Sequence, residues 1–427
     1  MVATKEIQPL ARRVDATVTI PGSKSYTNRV LPIAALARGK STLRSALFSE
    51  DTEHMSDALR KLGVNVTADE AAERFDVEGC DGKIPATKAE LFVGNSGTSA
   101  RFLVSVAALG HGSYTIDGIP RMRERPVQEL LDGLAQLGVK TRSVTGNGCP
   151  PVEVEGRGMP GGRTRMSGEI SSQYFTSILL ASPYAQRDVE IEVLGTLVSQ
   201  PYLDMTLASM RDFGVESERD GYRWFKVRAG QHYTGRVYDV EPDATNATYF
   251  FAAAALTGGR VRVRNLSLES AQGDVHFAQV LEKMGCRVQS GKDYIEVVGP
   301  ERLHGIEVDL AGMSDTAQTL AAVAPFADSP TVIRGIGFIR SKETDRIAAV
   351  AKELRKLGVG VTEDADGVTI QPASRIRPAA VDTYDDHRMA MSFALIGLRA
   401  AGVTINDPGC VAKTFPNYFE KLAELYS

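Results

Sequence analysis

Basic side chains recur at one kind of position in this sequence, just before stretches whose pattern predicts a helix. They are Lys24 and Arg29 in PGSKSYTNR, Arg101 in GNSGTSAR, Arg125 in PRMRERP, Lys342 and Arg346 in IRSKETDR, Arg388 in DDHR, and Lys413 in AKTFP. A helix start already carries unpaired N–H groups and about half a positive charge, so extra cations there disfavour the isolated helix. Their recurrence indicates that these helix starts bind anions, and the guanidinium groups suit carboxylates and phosphates.

Candidate proton carriers lie in the same segments. They are Asp315 in MSDTAQ, Glu343 in SKETDR, and Asp386 and His387 in DDHR. A carboxylate flanked by cations can act as a general acid or base, or stabilise a developing positive charge. A single Asp or Ser at a helix start is usually only a cap. The repetition of charged residues at one structural position therefore favours a functional role over a structural one.

The elements that must position these residues form an internal repeat. Five amphipathic segments end in a glycine and lead into a β-prone stretch, which predicts a helix, a left-handed cap and a strand. These glycines are Gly63, Gly138, Gly214, Gly285 and Gly358, separated by 75, 76, 71 and 73 residues. A sixth copy of the helix falls in NYFEKLAEL, near the end of the sequence.

A second set of segments repeats in step with the first. Each opens with small or polar residues, continues as an Ala-rich apolar stretch, and precedes a short strand. The openings lie at Gly22, Gly97, Ser172, Asp243, Asp315 and Asp386, separated by 75, 75, 71, 72 and 71 residues. Ser, Asp and Gly suit helix N-termini, and the small residues allow close packing, so these segments predict buried helices.

The chain thus consists of six units of about 72 residues, each with two helices and several strands. We expect a mixed α/β (α+β) fold of two lobes, each of three units with buried parallel helices. The expected N-terminal lobe is 22–240, and the C-terminal lobe is 1–21 plus 241–427. The strand at Thr17–Ile20 precedes the first unit and is expected to belong to the C-terminal lobe. The active site is expected in the cleft between the lobes.

Composition excludes several functional classes. A net charge of −4 argues against a nucleic-acid polycation, and four scattered cysteines without a C-x-x-C motif argue against a metal centre. Residues 1–22 lack the apolar core of a secretion signal, and no stretch has the length of a membrane span. A cytoplasmic protein is expected. The G-x-G-x-x-G at 156–161 lacks a following helix pattern, so it predicts a loop and not a dinucleotide site.

Ten segments identify a resemblance to the EPSP synthase family of enolpyruvyl transferases. In order they are PGSKSYTNR, GNSGTSAR, PRMRERP, SGEISSQY, LVSQPY, EPDATNATYF, SDTAQTLA, IRSKETDRI, TYDDHRMAM and AKTFPNYF. They run from residue 21 to residue 419 and so span nearly the whole chain. The resemblance implies two lobes of three βαβαββ units, with the N-terminal strand in the C-terminal lobe.

The resemblance also implies a reaction, in which the enolpyruvyl group of phosphoenolpyruvate moves to the 5-hydroxyl of shikimate 3-phosphate. Implied ligands of shikimate 3-phosphate are Lys24, Ser25, Arg29, Ser171, Ser172, Gln173, Ser199, Asp315 and Lys342. Implied ligands of phosphoenolpyruvate are Lys24, Gly97, Arg125, Gln173, Arg346, Arg388 and Lys413.

The implied mechanism is addition followed by elimination through a tetrahedral ketal. In it Asp315 takes the proton of the 5-hydroxyl, Glu343 protonates the vinyl carbon, and Lys24 contacts both substrates. No cofactor or metal is implied. The lobes are expected to close on the ligands. A monomer that binds neither nucleic acid nor membrane is expected.

Two residues depart from the family pattern. Phe338 stands where members often carry an asparagine that contacts the shikimate phosphate, and Phe102 stands where many carry proline. The retained Gly97 favours binding of the inhibitor glyphosate.

A sister transferase that acts on UDP-N-acetylglucosamine is the closest alternative, but its members carry a reactive cysteine in the loop that here reads IPRMRERPV. A non-catalytic repeat scaffold is the other alternative.

Overall fold

The computed structural model describes residues 3–426, and within this range the chain forms 23 β-strands, most of them three to six residues long. In chain order they are β1 (Thr4–Ile7), β2 (Asp15–Val18), β3 (Lys40–Arg44), β4 (Asn65–Asp69), β5 (Arg74–Glu78), β6 (Lys88–Phe92), β7 (His111–Asp117), β8 (Lys140–Ser143), β9 (Val152–Arg157), β10 (Gly162–Ser167), β11 (Val189–Leu194), β12 (Ser217–Asp220), β13 (Trp224–Val227), β14 (Val237–Asp239), β15 (Arg260–Arg264), β16 (Arg287–Ser290), β17 (Tyr294–Val298), β18 (Glu307–Asp309), β19 (Thr331–Arg334), β20 (Val361–Glu363), β21 (Val368–Ile370), β22 (Ala379–Val381) and β23 (Val403–Asn406).

The α-helices of the same residues form two alternating sets. They are α1 (Lys24–Leu36), α2 (Glu50–Lys61), α3 (Gly97–Ala108), α4 (Gln128–Gln136), α5 (Ser172–Ala181), α6 (Pro201–Asp212), α7 (Ala244–Thr257), α8 (Phe277–Lys283), α9 (Ala317–Val323), α10 (Arg346–Lys356), α11 (His387–Gly397) and α12 (Tyr418–Ala423). The odd-numbered helices are almost wholly buried, and the even-numbered helices bury one face. The odd-numbered helices begin within two residues of the predicted openings. The even-numbered helices α2, α4, α6, α8 and α10 end two residues before the predicted glycines.

Glycine ends the even-numbered helices in the predicted way. The five glycines that follow α2, α4, α6, α8 and α10 have φ between 81° and 103°. This left-handed conformation is strained for side chains with a Cβ atom, which explains why glycine recurs at the position. The prediction of a left-handed cap is confirmed.

The chain divides into two compact units. The N-terminal unit is Gly22–Glu241, and the C-terminal unit comprises the described residues before Gly22 and after Glu241. No helix among residues 3–426 is long and apolar enough to cross a membrane.

The N-terminal unit contains three four-stranded sheets of one design. Their strand orders are β14-β3-β5-β4, β6-β7-β9-β8 and β10-β11-β13-β12. In each sheet the first two strands are parallel and the other pairs are antiparallel. The parallel partner of β3 is β14, which comes from the end of the unit, so Val237 lies opposite Thr42.

The C-terminal unit repeats this design with strands borrowed from the start of the chain. Its sheets have the orders β2-β15-β17-β16, β18-β19-β21-β20 and β22-β23-β1. Strand β2 pairs in parallel with β15, with Asp15 opposite Arg260, and lies two residues before the expected Thr17–Ile20. The last sheet has three strands. In it β1 pairs antiparallel with β23, whereas in the other sheets the corresponding strand belongs to an antiparallel hairpin. The prediction of a mixed α/β fold is confirmed.

Hydroxyl groups join the buried helices within each unit. The Ser105 hydroxyl of α3 lies 2.7 Å from the Ser177 hydroxyl of α5. Four residues earlier in each helix, Arg101 of α3 donates to Gln173 of α5 at 3.0 Å. Since both helices advance four residues between these contacts, they run parallel, and their N-termini lie at one end. In the C-terminal unit Thr319 lies 3.4 Å from both Thr248 and Ser392. Small hydroxyl-bearing side chains allow this close approach.

Candidate active site

Asp315 in the C-terminal unit accepts hydrogen bonds from three cations. The donors are Lys342 Nζ at 2.6 Å, Arg346 Nη1 at 3.0 Å and Arg388 Nη2 at 2.7 Å. Burial raises the pKa of this carboxyl, but the three cations outweigh burial and hold the pKa well below its usual range. Asp315, in the helical turn just before α9, is therefore an ionised carboxylate enclosed by positive charge.

Arg346, the first residue of α10, connects Asp315 to two more carboxylates. Its side chain is 1% exposed, and it donates to Asp386 Oδ2 at 2.7 Å and to Glu343 Oε2 at 2.8 Å. Burial lowers the pKa of the guanidinium, yet the surrounding carboxylates raise it above its usual value. One buried cation thus fixes the positions of three carboxylates.

The other predicted cations of this unit are Arg388, Lys413 and Lys342. Arg388 lies in the first turn of α11, where the Asp386 side chain accepts its N–H at 2.9 Å. Lys413 ends a helical turn at Pro408–Lys413 and is 5% exposed. Burial lowers the pKa of Lys342, whose Nζ lies 5.6 Å from the centre of the Phe338 ring. The departure at Phe338 thus places an aromatic face beside this ammonium group.

Arg29 in the N-terminal unit is a buried cation of a different kind. It donates to the Thr206 hydroxyl at 2.9 Å and to the carbonyls of Ser25 and Tyr202 at 2.8 and 3.0 Å. Burial lowers its pKa to about 10. The ring of Phe102 lies 5.5 Å from the guanidinium carbon, so this departure from the family pattern also supports a cation. All these partners are neutral.

Gly97, at the start of α3, adjoins two further arginines. Arg101 donates to the Gly97 carbonyl at 3.1 Å and to Gln173 Oε1 at 3.0 Å, while Arg125 donates to the Asn95 carbonyl at 2.8 Å. A Cβ atom at position 97 would lie 2.4 Å from Arg125 Nη2 and 2.5 Å from Arg101 Nη1. A side chain at position 97 would therefore displace the guanidinium groups that approach the helix start.

Lys24 and the predicted serines lie at the starts of the helices of the N-terminal unit. Lys24 Nζ is 3.3 Å from Asp51 Oδ2. Ser171 caps α5, with its hydroxyl accepting the Gln173 N–H at 3.3 Å, and Ser172 is the first residue of that helix. Ser199 precedes α6 and has φ 54°. Within this unit the structure joins Gly97 and Gln173 through Arg101, and Ser25 to Arg29.

Sequence reasoning did not identify two buried carboxylates, Asp51 and Asp274. Asp274 lies in a helical turn at Gly273–His276, where its Oδ2 accepts the Thr245 hydroxyl and its Oδ1 has no hydrogen-bond partner among residues 3–426. Burial and the nearby Asp315 raise its pKa to about 7. Its sequence context, AQGDVH, contains no other charged residue that could have marked it.

Comparisons with known proteins show which family this chain resembles. The family model of EPSP synthase (3-phosphoshikimate 1-carboxyvinyltransferase) matches residues 10–422. A 3-phosphoshikimate 1-carboxyvinyltransferase of Trichormus variabilis is 52% identical over 422 residues, which cover 99% of each chain. The chloroplastic enzyme of Arabidopsis thaliana is 47% identical over 98% of this chain and 84% of its own.

A solved structure is similar across the whole fold. The EPSP synthase of Acinetobacter baumannii superposes with a TM-score of 0.82 at 25% identity, covering 99% of this chain and 98% of its own. The match of the family model across nearly the whole chain, together with half-identical relatives of equal length, shows that this chain belongs to the EPSP synthase family.

Proposed function

We propose that the protein transfers the enolpyruvyl group of phosphoenolpyruvate to the 5-hydroxyl of shikimate 3-phosphate and releases phosphate. The carrying observation is Asp315, a partly buried, ionised carboxylate that three cations surround. A carboxylate in such a position can accept the hydroxyl proton, while the cations bind substrate anions. Membership of the family and the names of the relatives support the same reaction.

The reaction is an addition followed by an elimination. The 5-hydroxyl oxygen bonds to C2 of phosphoenolpyruvate and passes its proton to Asp315, while C3 takes a proton from Glu343. The resulting tetrahedral ketal phosphate then loses phosphate as C3 returns a proton to the Glu343 carboxylate, and the departing phosphate takes up the proton that Asp315 holds. Arg346 Nη2 donates to Glu343 Oε2 at 2.8 Å and so positions this carboxyl group beside the Asp315 network. For the addition step Glu343 must carry a proton.

Substrate binding would also increase the basicity of Asp315. In the free protein Arg388, Lys342 and Arg346 make this carboxylate a weak base by holding its pKa down. A substrate carboxylate or phosphate that takes Arg346 or Arg388 as its partner weakens their bonds to Asp315. The pKa of Asp315 then rises toward its usual value at the stage of the reaction at which Asp315 must accept the hydroxyl proton.

We assign substrate contacts to both units. Arg29, Ser25, Ser171, Ser172, Ser199 and Lys342 bind shikimate 3-phosphate. Gly97, Arg125, Arg346, Arg388 and Lys413 bind phosphoenolpyruvate, and Lys24 and Gln173 contact both substrates. The buried, neutral surroundings of Arg29 support its role, because a guanidinium that lacks an anionic partner in a buried site gains most from binding a ligand anion. We further propose that the protein acts as a monomer.

Phosphate release from phosphoenolpyruvate tests the proposal. The acceptors are shikimate 3-phosphate and UDP-N-acetylglucosamine, and the variants are Asp315→Ala and Asp309→Ala. Asp309 is an exposed carboxylate of the same unit that accepts the Ala311 N–H, so it serves as a matched control. We expect release with shikimate 3-phosphate only, reduced roughly 10²–10⁴-fold by Asp315→Ala and unchanged by Asp309→Ala. Release with the sugar nucleotide alone would contradict the proposed acceptor.

A further inference from the structure

The turn that leads into α11 holds two consecutive non-glycine residues in the left-handed region. Tyr384 and Asp385 have φ of 56° and 55°, and the Asp386 N–H closes the turn on the Thr383 carbonyl at 2.9 Å. Paired left-handed residues of this kind usually include Gly, Asn or Asp, and a bulky aromatic residue is an outlier there. Such a conformation persists only where the surrounding structure holds it.

A buried carboxylate holds this turn from α10. Glu353 is wholly buried, and its carboxylate accepts the Tyr384 hydroxyl and the Asp382 N–H, the latter at 3.0 Å. Lys356 Nζ lies 2.8 Å from Glu353 and 2.6 Å from Asp382. The carboxylate of Glu353 is therefore bonded to both ends of the segment Asp382–Tyr384, although neither Glu353 nor Tyr384 touches Asp315.

The same helix also holds the other side of the turn. Arg346 donates to Asp386 at 2.7 Å, and Glu353 follows Arg346 by seven residues, which places both on one face of α10. Asp386 in turn caps α11 at Arg388, a donor to Asp315. The turn is thus fixed at two points, one of which belongs to the network around Asp315.

We propose that Tyr384 and Glu353 are positioning residues, which keep this turn closed and thereby set Asp386, Arg346 and Arg388 in the arrangement that the reaction needs. The inference rests on the proposed function. A purely structural role would affect stability, whereas a positioning role affects the step that uses Arg346 and Arg388.

Removal of the Tyr384 hydroxyl provides the test. In Tyr384→Phe we expect kcat/KM for phosphoenolpyruvate to fall about tenfold, or roughly 1.4 kcal/mol, as the turn opens. The Kd of shikimate 3-phosphate should stay near the wild-type value, because most of its assigned ligands lie in the N-terminal unit. Tyr222→Phe is the matched control, since its hydroxyl donates to Asp204 at 2.5 Å in the other unit, and full activity is expected.

A second substitution separates positioning from stability. Glycine adopts a positive φ without strain, so Asp385→Gly added to Tyr384→Phe should favour the closed turn and restore part of the lost kcat/KM. Unchanged kcat/KM in folded Tyr384→Phe, or a loss that follows only the folded fraction in circular dichroism, would overturn the positioning role. An inactive wild-type protein would instead overturn the proposed function, and the role with it.

Discussion

Arg29 and Arg346 are both almost fully buried, yet their surroundings differ. Arg346 donates to three carboxylates, Asp315, Glu343 and Asp386. Among residues 3–426, Arg29 donates only to a hydroxyl and two carbonyls. Burial lowers the pKa of Arg29 to about 10, whereas the carboxylates raise that of Arg346. One arginine carries an uncompensated charge and the other is neutralised within the protein.

The helix caps differ in the same sense. Ser23, Ser96 and Ser171 cap the buried helices of the N-terminal unit, whereas Asp243 and Asp386 cap α7 and α11. Serine satisfies the free N–H groups without neutralising the positive helix end, but aspartate also supplies a negative charge. The same fold therefore yields one unit whose serine-capped helix starts keep their positive charge and another in which aspartates offset that charge at two helix starts. Substitutions in the two units should therefore differ in their effects on the free energy of unfolding, on substrate affinity and on the pH dependence of stability.

The largest effect is expected from Arg346→Gln. This substitution leaves two buried carboxylates and the partly buried Asp315 without their shared cation, and breaking a buried ion pair typically costs about 3–5 kcal/mol in the free energy of unfolding. Urea denaturation should show this loss, together with loss of activity. Arg334→Gln, which removes an exposed pair with Glu307, should leave the unfolding curve nearly unchanged. Equal free energies of unfolding for Arg346→Gln and Arg334→Gln would contradict the stabilising role of the buried Arg346 network.

Arg29→Gln should have the opposite profile. It removes a buried charge that no carboxylate balances, so the free energy of unfolding should fall far less than in Arg346→Gln. The Kd of shikimate 3-phosphate should rise roughly 10- to 100-fold, since a hydrogen bond to a charged group is lost. Isothermal titration calorimetry measures the Kd. A variant that binds as well as the wild type would show that the charge of Arg29 serves only the fold.

The smallest effect concerns the pH dependence of stability, where Asp274→Asn is informative. The folded-state pKa of Asp274, about 7, exceeds its usual 3.8, so its contribution to stability is fully present below the unfolded pKa and is lost as pH rises through about 7. The wild-type Tm should therefore fall more steeply than that of the variant between pH 5 and pH 8. Parallel Tm profiles would contradict the raised pKa of Asp274.

Much of the fold could be predicted because the repeat is recorded in local sequence. Glycines such as Gly63 and Gly358 adopt a left-handed backbone conformation that few other residues tolerate, so their spacing identified the helix ends. The Ala-rich apolar segments identified the buried helices, because long apolar stretches with few charged residues are buried on every side. The basic residues at helix starts indicated anion binding, and the ten family segments named individual residues such as Asp315 and Gln173.

The remaining features depend on contacts between distant parts of the chain. Asp274 has a raised pKa because it is buried and because Asp315 lies nearby, and Asp315 is not close to it in sequence. Phe102 and Phe338 were identified only as departures, and the structure shows that each ring faces a cation. The function of Glu353 could not be inferred either, because its partner Tyr384 lies 31 residues away.

The pairing of β2 with β15 has a consequence for synthesis on the ribosome. Asp15 and Arg260 are 245 residues apart, so β2 has to wait for its partner while the intervening chain is made. At 5–20 residues per second this delay is roughly 12–50 s. The N-terminal unit is contiguous and is complete once β14 emerges, whereas the C-terminal unit needs the first strands of the chain to have remained unpaired and available.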